Sequence, residues 1–119
     1  MKIDTLEIES PFGVMLPQPF YRADSASSLM ILLPGRGYTV HHPVLAYMAY
    51  MGVEQGCDVL GIHYGFQFTG SLSNAQLPLL QQDIDRTLAA VDVDRYRRVV
   101  IVGKSMGTPL AVDLARRSR

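Results

Sequence analysis

The spacing of apolar residues changes several times along the 119-residue chain, and each change marks an element. Residues 2–9 alternate imperfectly around Ile3, Leu6 and Ile8, and residues 14–22 set Pro17 and Pro19 among apolar neighbours. Both segments read as strands near a sheet edge, where a missing N–H is tolerated, and together they predict an antiparallel opening. Residues 28–33, SLMILL, form a continuous apolar run that stops at Pro34-Gly35-Arg36-Gly37. This is the pattern of a strand buried on both faces and ended by a turn. Residues 41–55 then place Val44, Leu45, Met48 and Met51 at helical spacing, with Pro43 in the first turn and Gly52 and Gly56 near the close. A second short run at 58–63, DVLGIH, predicts a strand. A helix follows over 74–91 on Leu77, Leu80, Ile84, Leu88 and Val91, with Ser73 or Asn74 as its cap. Residues 98–102, RVVIV, are β-branched, and 109–117 continue as a helix with Leu110, Ala111 and Leu114 on one side.

Strand and helix thus alternate three times after the opening strands. Alternation of this kind predicts a mostly parallel sheet with right-handed crossovers and helices on both faces, an α/β three-layer sandwich. Length and composition, 48% hydrophobic and 18% charged, suit one domain. Eleven basic residues balance eleven acidic ones, so no net field favours nucleic acid or an anionic membrane, and neither partner is expected. The single cysteine, Cys57, leaves no intramolecular disulfide and no cysteine zinc cluster, which suits a reducing compartment. The N-terminus, MKIDTLEIES, lacks the basic and then continuously apolar pattern of a signal peptide, and no run is long enough to span a membrane. The expectation is a cytoplasmic protein without metal or cofactor.

The chemistry is concentrated in Ile101 to Thr108, IVGKSMGT, which admits two readings. A phosphate-binding loop requires a glycine five positions before the one that precedes lysine, so that the backbone can curl around the phosphates. That position is Arg98, inside a strand pattern, and the phosphate reading fails. The other reading is the G-x-S-x-G of a serine hydrolase: a strand, a sharp turn with a strained serine at its apex, and a helix that starts at once. In this reading Ser105 is the nucleophile, Gly103 and Gly107 keep side chains out of the turn, and the helix start lends N–H groups to a developing oxyanion. Acyl transfer uses two such donors. The Met106 N–H supplies one, and the Arg36 or Gly37 N–H, in the loop after residues 28–33, supplies the other.

With PGRG after the first central strand and GKSMG after the third, the chain resembles the α/β-hydrolase superfamily, in particular its small dienelactone-hydrolase-like and esterase-like members. The resemblance runs from the opening strands to the helix behind the serine. It implies a Ser, His and Asp or Glu triad acting on an ester, thioester or amide carbonyl of a small molecule. Members often begin the oxyanion loop with histidine before glycine; Pro34 stands there in this chain, and the donor, being backbone, is unaffected.

In that superfamily the acid and the histidine follow the serine. Fourteen residues follow Ser105, with no histidine and the single carboxylate Asp113 on a helix. The chain therefore reads as the N-terminal part of a hydrolase domain, incomplete on its C-terminal side, and without a base it should have little activity. The competing reading is a non-catalytic binding or assembly module that keeps the elbow as a structural turn. His41, His42 and His63 fall near the same end of the sheet, where capping, solvation and packing account for them. Asp83 and Asp85 read as solvated charge on the helix, and Lys104 as solvent-facing or paired with an acid. The aromatic stretch 64–70 follows the second central strand; with Tyr38, the residues Tyr64, Phe66 and Phe68 either rim an acyl pocket or cover a neighbouring apolar segment. The outer side of residues 98–102 lacks a neighbour, so self-association through that edge is a further expectation.

Overall fold

The computed structural model describes residues 1–117. Five strands form one open, mixed sheet in the order β1-β2-β4-β3-β5, with β1 at Lys2–Glu9, β2 at Met15–Arg22, β3 at Ser28–Leu33, β4 at Cys57–Gly61 and β5 at Arg98–Gly103. The opening hairpin is antiparallel throughout, from Lys2 opposite Arg22 to Glu9 opposite Met15, and β2 joins the rest antiparallel to β4. The centre is parallel: Ser28 of β3 lies beside both Cys57 of β4 and Arg98 of β5.

Alternation along β3 divides the core in two. Leu29, Ile31 and Leu33 point to one face with Phe20, Leu60 and Ile62, where Leu80, Ile84 and Leu114 cover them. Leu32 points to the other, with Tyr21, Val40 and Val59, under Leu45 and Ala49. The helices that supply these covers are α1 (Pro43–Glu54) on the second face and α3 (Leu77–Ala89) and α4 (Gly107–Arg117) on the first. The sheet between two helical layers is the three-layer arrangement read from the sequence. The chain moves from β3 to β4 through α1 and returns across β3 to β5 through α3, so crossovers of one hand put their helices on opposite faces.

Some boundaries differ from those read from the sequence. A one-turn helix, α2 (Phe66–Thr69), follows β4, too short to produce a periodic signal. The long helix is preceded by a separate 3-10 turn at Asn74–Gln76, where the Ser73 N–H donates to Gln76 Oε1 at 3.0 Å. The last helix starts at Gly107, immediately behind the serine, and not at Pro109.

Asp83 is corrected outright. It is fully buried, accepting from Ser10 Oγ at 2.6 Å and from the Gly65 N–H at 2.8 Å, whereas Asp85 is exposed and pairs with Arg117. Asp83 belongs to a buried polar seam between the opening hairpin and α3. Gln18 receives the His63 N–H and donates to the His63 carbonyl and to Thr87 Oγ1, and Thr87 donates to the Asp83 carbonyl. At the opposite end of the sheet Asp58, 1% exposed, takes the Tyr96 hydroxyl at 2.6 Å and Arg95 at 2.9 Å. Among the described residues β5 has a strand on one side only, and a groove of about 570 Å³ lined by Ile31, Leu88, Tyr96, Val99, Ile101 and Leu114 runs beside it.

Candidate active site

The loops after β3 and β5 leave for opposite faces, one into α1 and the other into α4. Between them the carboxyl ends of two adjacent parallel strands open a crevice, the usual ligand position in such sheets. Gly35 and Ser105 meet in it. A Cβ on Gly35 would stand 2.9 Å from Ser105 Cβ and 3.4 Å from Ser105 Oγ, so only glycine lets the two turns approach this closely.

Ser105 is exposed and has φ of +56°; among the described residues only Ser25, at +53°, shares positive φ without being glycine. An L-residue in this region carries strain of about 1–2 kcal/mol, which surrounding contacts must hold. Several do so. The Lys104 N–H donates to the Leu33 carbonyl at 3.0 Å, the Gly107 N–H to the Lys104 carbonyl at 2.9 Å, and the Thr108 N–H to the Ser105 carbonyl at 2.9 Å. The turn is packed backbone to backbone: a Cβ on Gly103 would collide with the Gly107 carbonyl, and one on Gly107 with the Leu33 and Pro34 carbonyls. Among the described residues the N–H groups of Arg36, Gly37 and Met106 have no acceptor, and these are the three backbone donors singled out in the sequence.

The loop that carries Gly35 is itself held from both ends by residues that follow β4. The Tyr64 hydroxyl donates to the Pro34 carbonyl at 3.0 Å, and Gln67 Nε2 donates to the Tyr38 carbonyl at 3.2 Å while its Oε1 receives the Tyr64 N–H. This corrects the placement of two aromatics. Tyr64 and Phe66 are buried and stacked, with centroids 5.9 Å apart, and belong to the core beneath the loop and not to a rim. Burial, with the nearby Asp83 charge adding to it, pushes the Tyr64 phenol well above its ordinary range. Phe68 is exposed and Tyr38 half-buried, so neither is enclosed in the core as Tyr64 and Phe66 are. Sequence reasoning missed Gln67 as a loop clamp; it lies within α2, which at one turn long offers no pattern to find it by.

Lys104 pairs with no carboxylate among the described residues. Its Nζ lies 4.1 Å from the centroid of the Tyr38 ring, and the Tyr38 hydroxyl receives the Val44 N–H at 2.7 Å. No imidazole is hydrogen-bonded to Ser105 among the described residues. His42 Nδ1 accepts the Thr39 N–H at 2.9 Å. His63 is buried, with Nδ1 beside the Pro17 carbonyl at 3.1 Å and its ring 5.2 Å from that of His41. Burial first, then the His41 charge, lower its pKa to about 4 despite the Pro17 contact, so it is neutral near pH 7. Asp83 shifts the other way: burial raises it, against the Gly65 and Ser10 hydrogen bonds and the Arg86 charge. Cys57 is free and buried at the start of β4. Among the described residues no three His, Cys, Asp or Glu side chains gather as a metal site, and no helix is long and apolar enough to cross a membrane.

No protein-family model matches the sequence, and no curated protein matches it. Solved structures do. An esterase from Pyrococcus furiosus superposes with a TM-score of 0.69 at 16% identity, over 94% of this chain and 43% of the esterase. A second crystal form gives 0.68 at 13% identity, over 94% and 45%. A dienelactone hydrolase from Anabaena variabilis superposes with a TM-score of 0.62 at 14% identity, over 86% of this chain and 52% of that one. The chain spans about half the length of these structures. It has the α/β-hydrolase fold, the resemblance read from PGRG and GKSMG.

Proposed function

We propose that the α/β-hydrolase fold of this chain serves a serine hydrolase in which Ser105 attacks an ester, thioester or amide carbonyl. The observation that carries the reading is the positive φ of Ser105, held at the strand-to-helix turn against Gly35. Oγ would add to the carbonyl carbon as its proton passes to a base. The oxyanion so formed would receive the Met106 N–H from one side and the Arg36 or Gly37 N–H from the other. Collapse would expel the alcohol, thiol or amine with a proton and leave an acyl-Ser105, which water then hydrolyses.

This reading takes the base and acid from outside the 119 residues. It is supported by the lack of an imidazole on Ser105 among the described residues, by the neutral, buried state of His63, and by neighbours about twice as long. The same lack supports a second reading, in which the elbow is only a structural turn of a binding module. The buried free thiol of Cys57 favours a cytoplasmic setting in either case. Labelling with a fluorophosphonate separates the readings. It is applied to this chain and to any longer product of the same reading frame, with Ser105→Ala as control. Ser105-dependent labelling of the longer product supports the hydrolase, labelling of this chain identifies a resident base, and labelling of neither supports the binding module.

A further inference from the structure

Charge is unevenly distributed around Ser105. The chain as a whole has eleven basic and eleven acidic residues, yet no aspartate or glutamate occurs within 25–53, 59–82 or 95–112. These spans supply every loop at the carboxyl ends of the parallel strands. Acids cluster instead at the other end of the sheet, at Asp24, Glu54, Asp58, Asp92 and Asp94. Among the described residues, one carboxylate touches the loops beside the crevice. It is Asp83, fully buried and already accepting from Ser10 and Gly65.

Two basic residues belong to the loops beside the crevice, and neither joins an ion pair among the described residues. Lys104, next to the reacting serine, rests its ammonium over the Tyr38 ring, which is anchored by its hydroxyl on Val44 and by its carbonyl on Gln67. Arg36, next to Gly35, is exposed and donates one N–H to the Leu72 carbonyl at 3.1 Å, leaving the rest of its fork free. It also lines a shallow cavity of about 290 Å³ with Gln67 and Ser71. An aromatic face holds an ammonium weakly and releases it readily to a true anion. A crevice walled by one sign of charge also draws in ligands of the opposite sign.

We infer that this crevice takes a substrate bearing an anionic group, a carboxylate or a phosphate, and that Lys104 contacts that group, with Arg36 as the second cation. The inference rests on the reading of Ser105 as the reacting group, but binding requires no base, so it is testable on this chain alone. The isotope-labelled protein is titrated with benzoate, phenyl phosphate and, as the neutral probe, benzyl alcohol, while the amides of residues 35–38 and 104–106 are followed by NMR.

At least one anion should shift these amides and benzyl alcohol should not; Lys104→Gln should weaken binding about five-fold, as removal of one exposed ion pair does. Raising ionic strength from about 0.1 M to about 1 M shortens screening from ~10 Å to ~3 Å and should weaken binding of the unaltered protein, a check that needs no variant. Which anion binds distinguishes carboxylate from phosphate, and equal binding of both means that charge alone is read. Absence of shifts, shifts spread over the surface, equal binding of benzyl alcohol, or salt-insensitive binding would overturn the inference. Ser105 labelling without anion binding would leave a hydrolase of neutral substrates; anion binding without labelling would leave the crevice a binding site without chemistry.

Discussion

The strain at Ser105 has a measurable size. Glycine at this position relieves the left-handed conformation, a gain of about 1–2 kcal/mol, and adds unfolded-state freedom that costs about 0.4–1 kcal/mol. Nothing else of weight is lost, because the side chain is exposed and its hydroxyl makes no hydrogen bond among the described residues. Ser105→Gly should therefore stabilise the fold by roughly 0.5–1 kcal/mol, which raises Tm by a few degrees for a chain of this size. Ser105→Ala keeps the Cβ, and with it the strain, and should be near neutral. Ser25→Gly is the reference: it shares the conformation, at φ of +53°, in an exposed turn before β3, and should gain a similar amount. Urea unfolding at constant m reads the differences directly. If Ser25→Gly gains and Ser105→Gly does not gain over Ser105→Ala, the elbow does not hold Ser105 under strain, and the argument that carries the proposed function loses its support.

Other perturbations are equally specific. Gly107→Ala sets a Cβ 2.8 Å from the Pro34 carbonyl oxygen, backbone that cannot yield, and should cost about 2–3 kcal/mol; Gly37→Ala meets nothing within 4 Å and should stay within ~0.5 kcal/mol, both by urea unfolding. Tyr64→Phe removes the hydrogen bond to Pro34 while keeping the ring, so it should cost about 1 kcal/mol by urea unfolding and shift the NMR resonances of the 35–37 amides; unchanged resonances would show that the bond does not position the loop.

The pH dependence has two parts of opposite sign. His63, lowered from 6.5 to about 4, contributes stability that is complete above pH 6.5 and lost as pH falls through 4, on the order of 3 kcal/mol in full. Asp83, raised by burial, is less costly when protonated, so its contribution becomes more favourable as pH falls. His63→Gln should flatten the acid loss and Asp83→Asn should steepen it, as read by unfolding between pH 4 and pH 7. Finally, the one-sided β5 predicts self-association of this chain. Lysine at Val99, which is 39% exposed, should shift sedimentation equilibrium toward monomer.

Local patterns made much of this protein legible without a structure. The run SLMILL reads as a doubly buried strand because its length and its stop at Pro34-Gly35 are properties of adjacent residues. The strand-to-helix turn at Ser105 is legible for the same reason: strand, Gly103, Ser105, Gly107 and helix follow one another without interruption. Periodicity located the strands and main helices because a buried helical face repeats every three to four residues. It could not locate α2, whose single turn has no repeat.

Tertiary structure alone decided what depends on residues distant in the chain. Asp83 and Asp85 look alike on one helix, but only Asp83 faces Ser10 and Gly65 beneath the sheet end. Tyr64 and Phe66 alternate along the chain as rim residues would, yet both are buried and stacked, and Tyr64 instead supports Pro34 from below. Lys104 could not be assigned its place over Tyr38, because the two lie on loops from different strands that meet only once β5 pairs with β3. The physical reason is the same each time: conformational preference is set by near neighbours, whereas burial and partnership are set by which strand ends the sheet brings together.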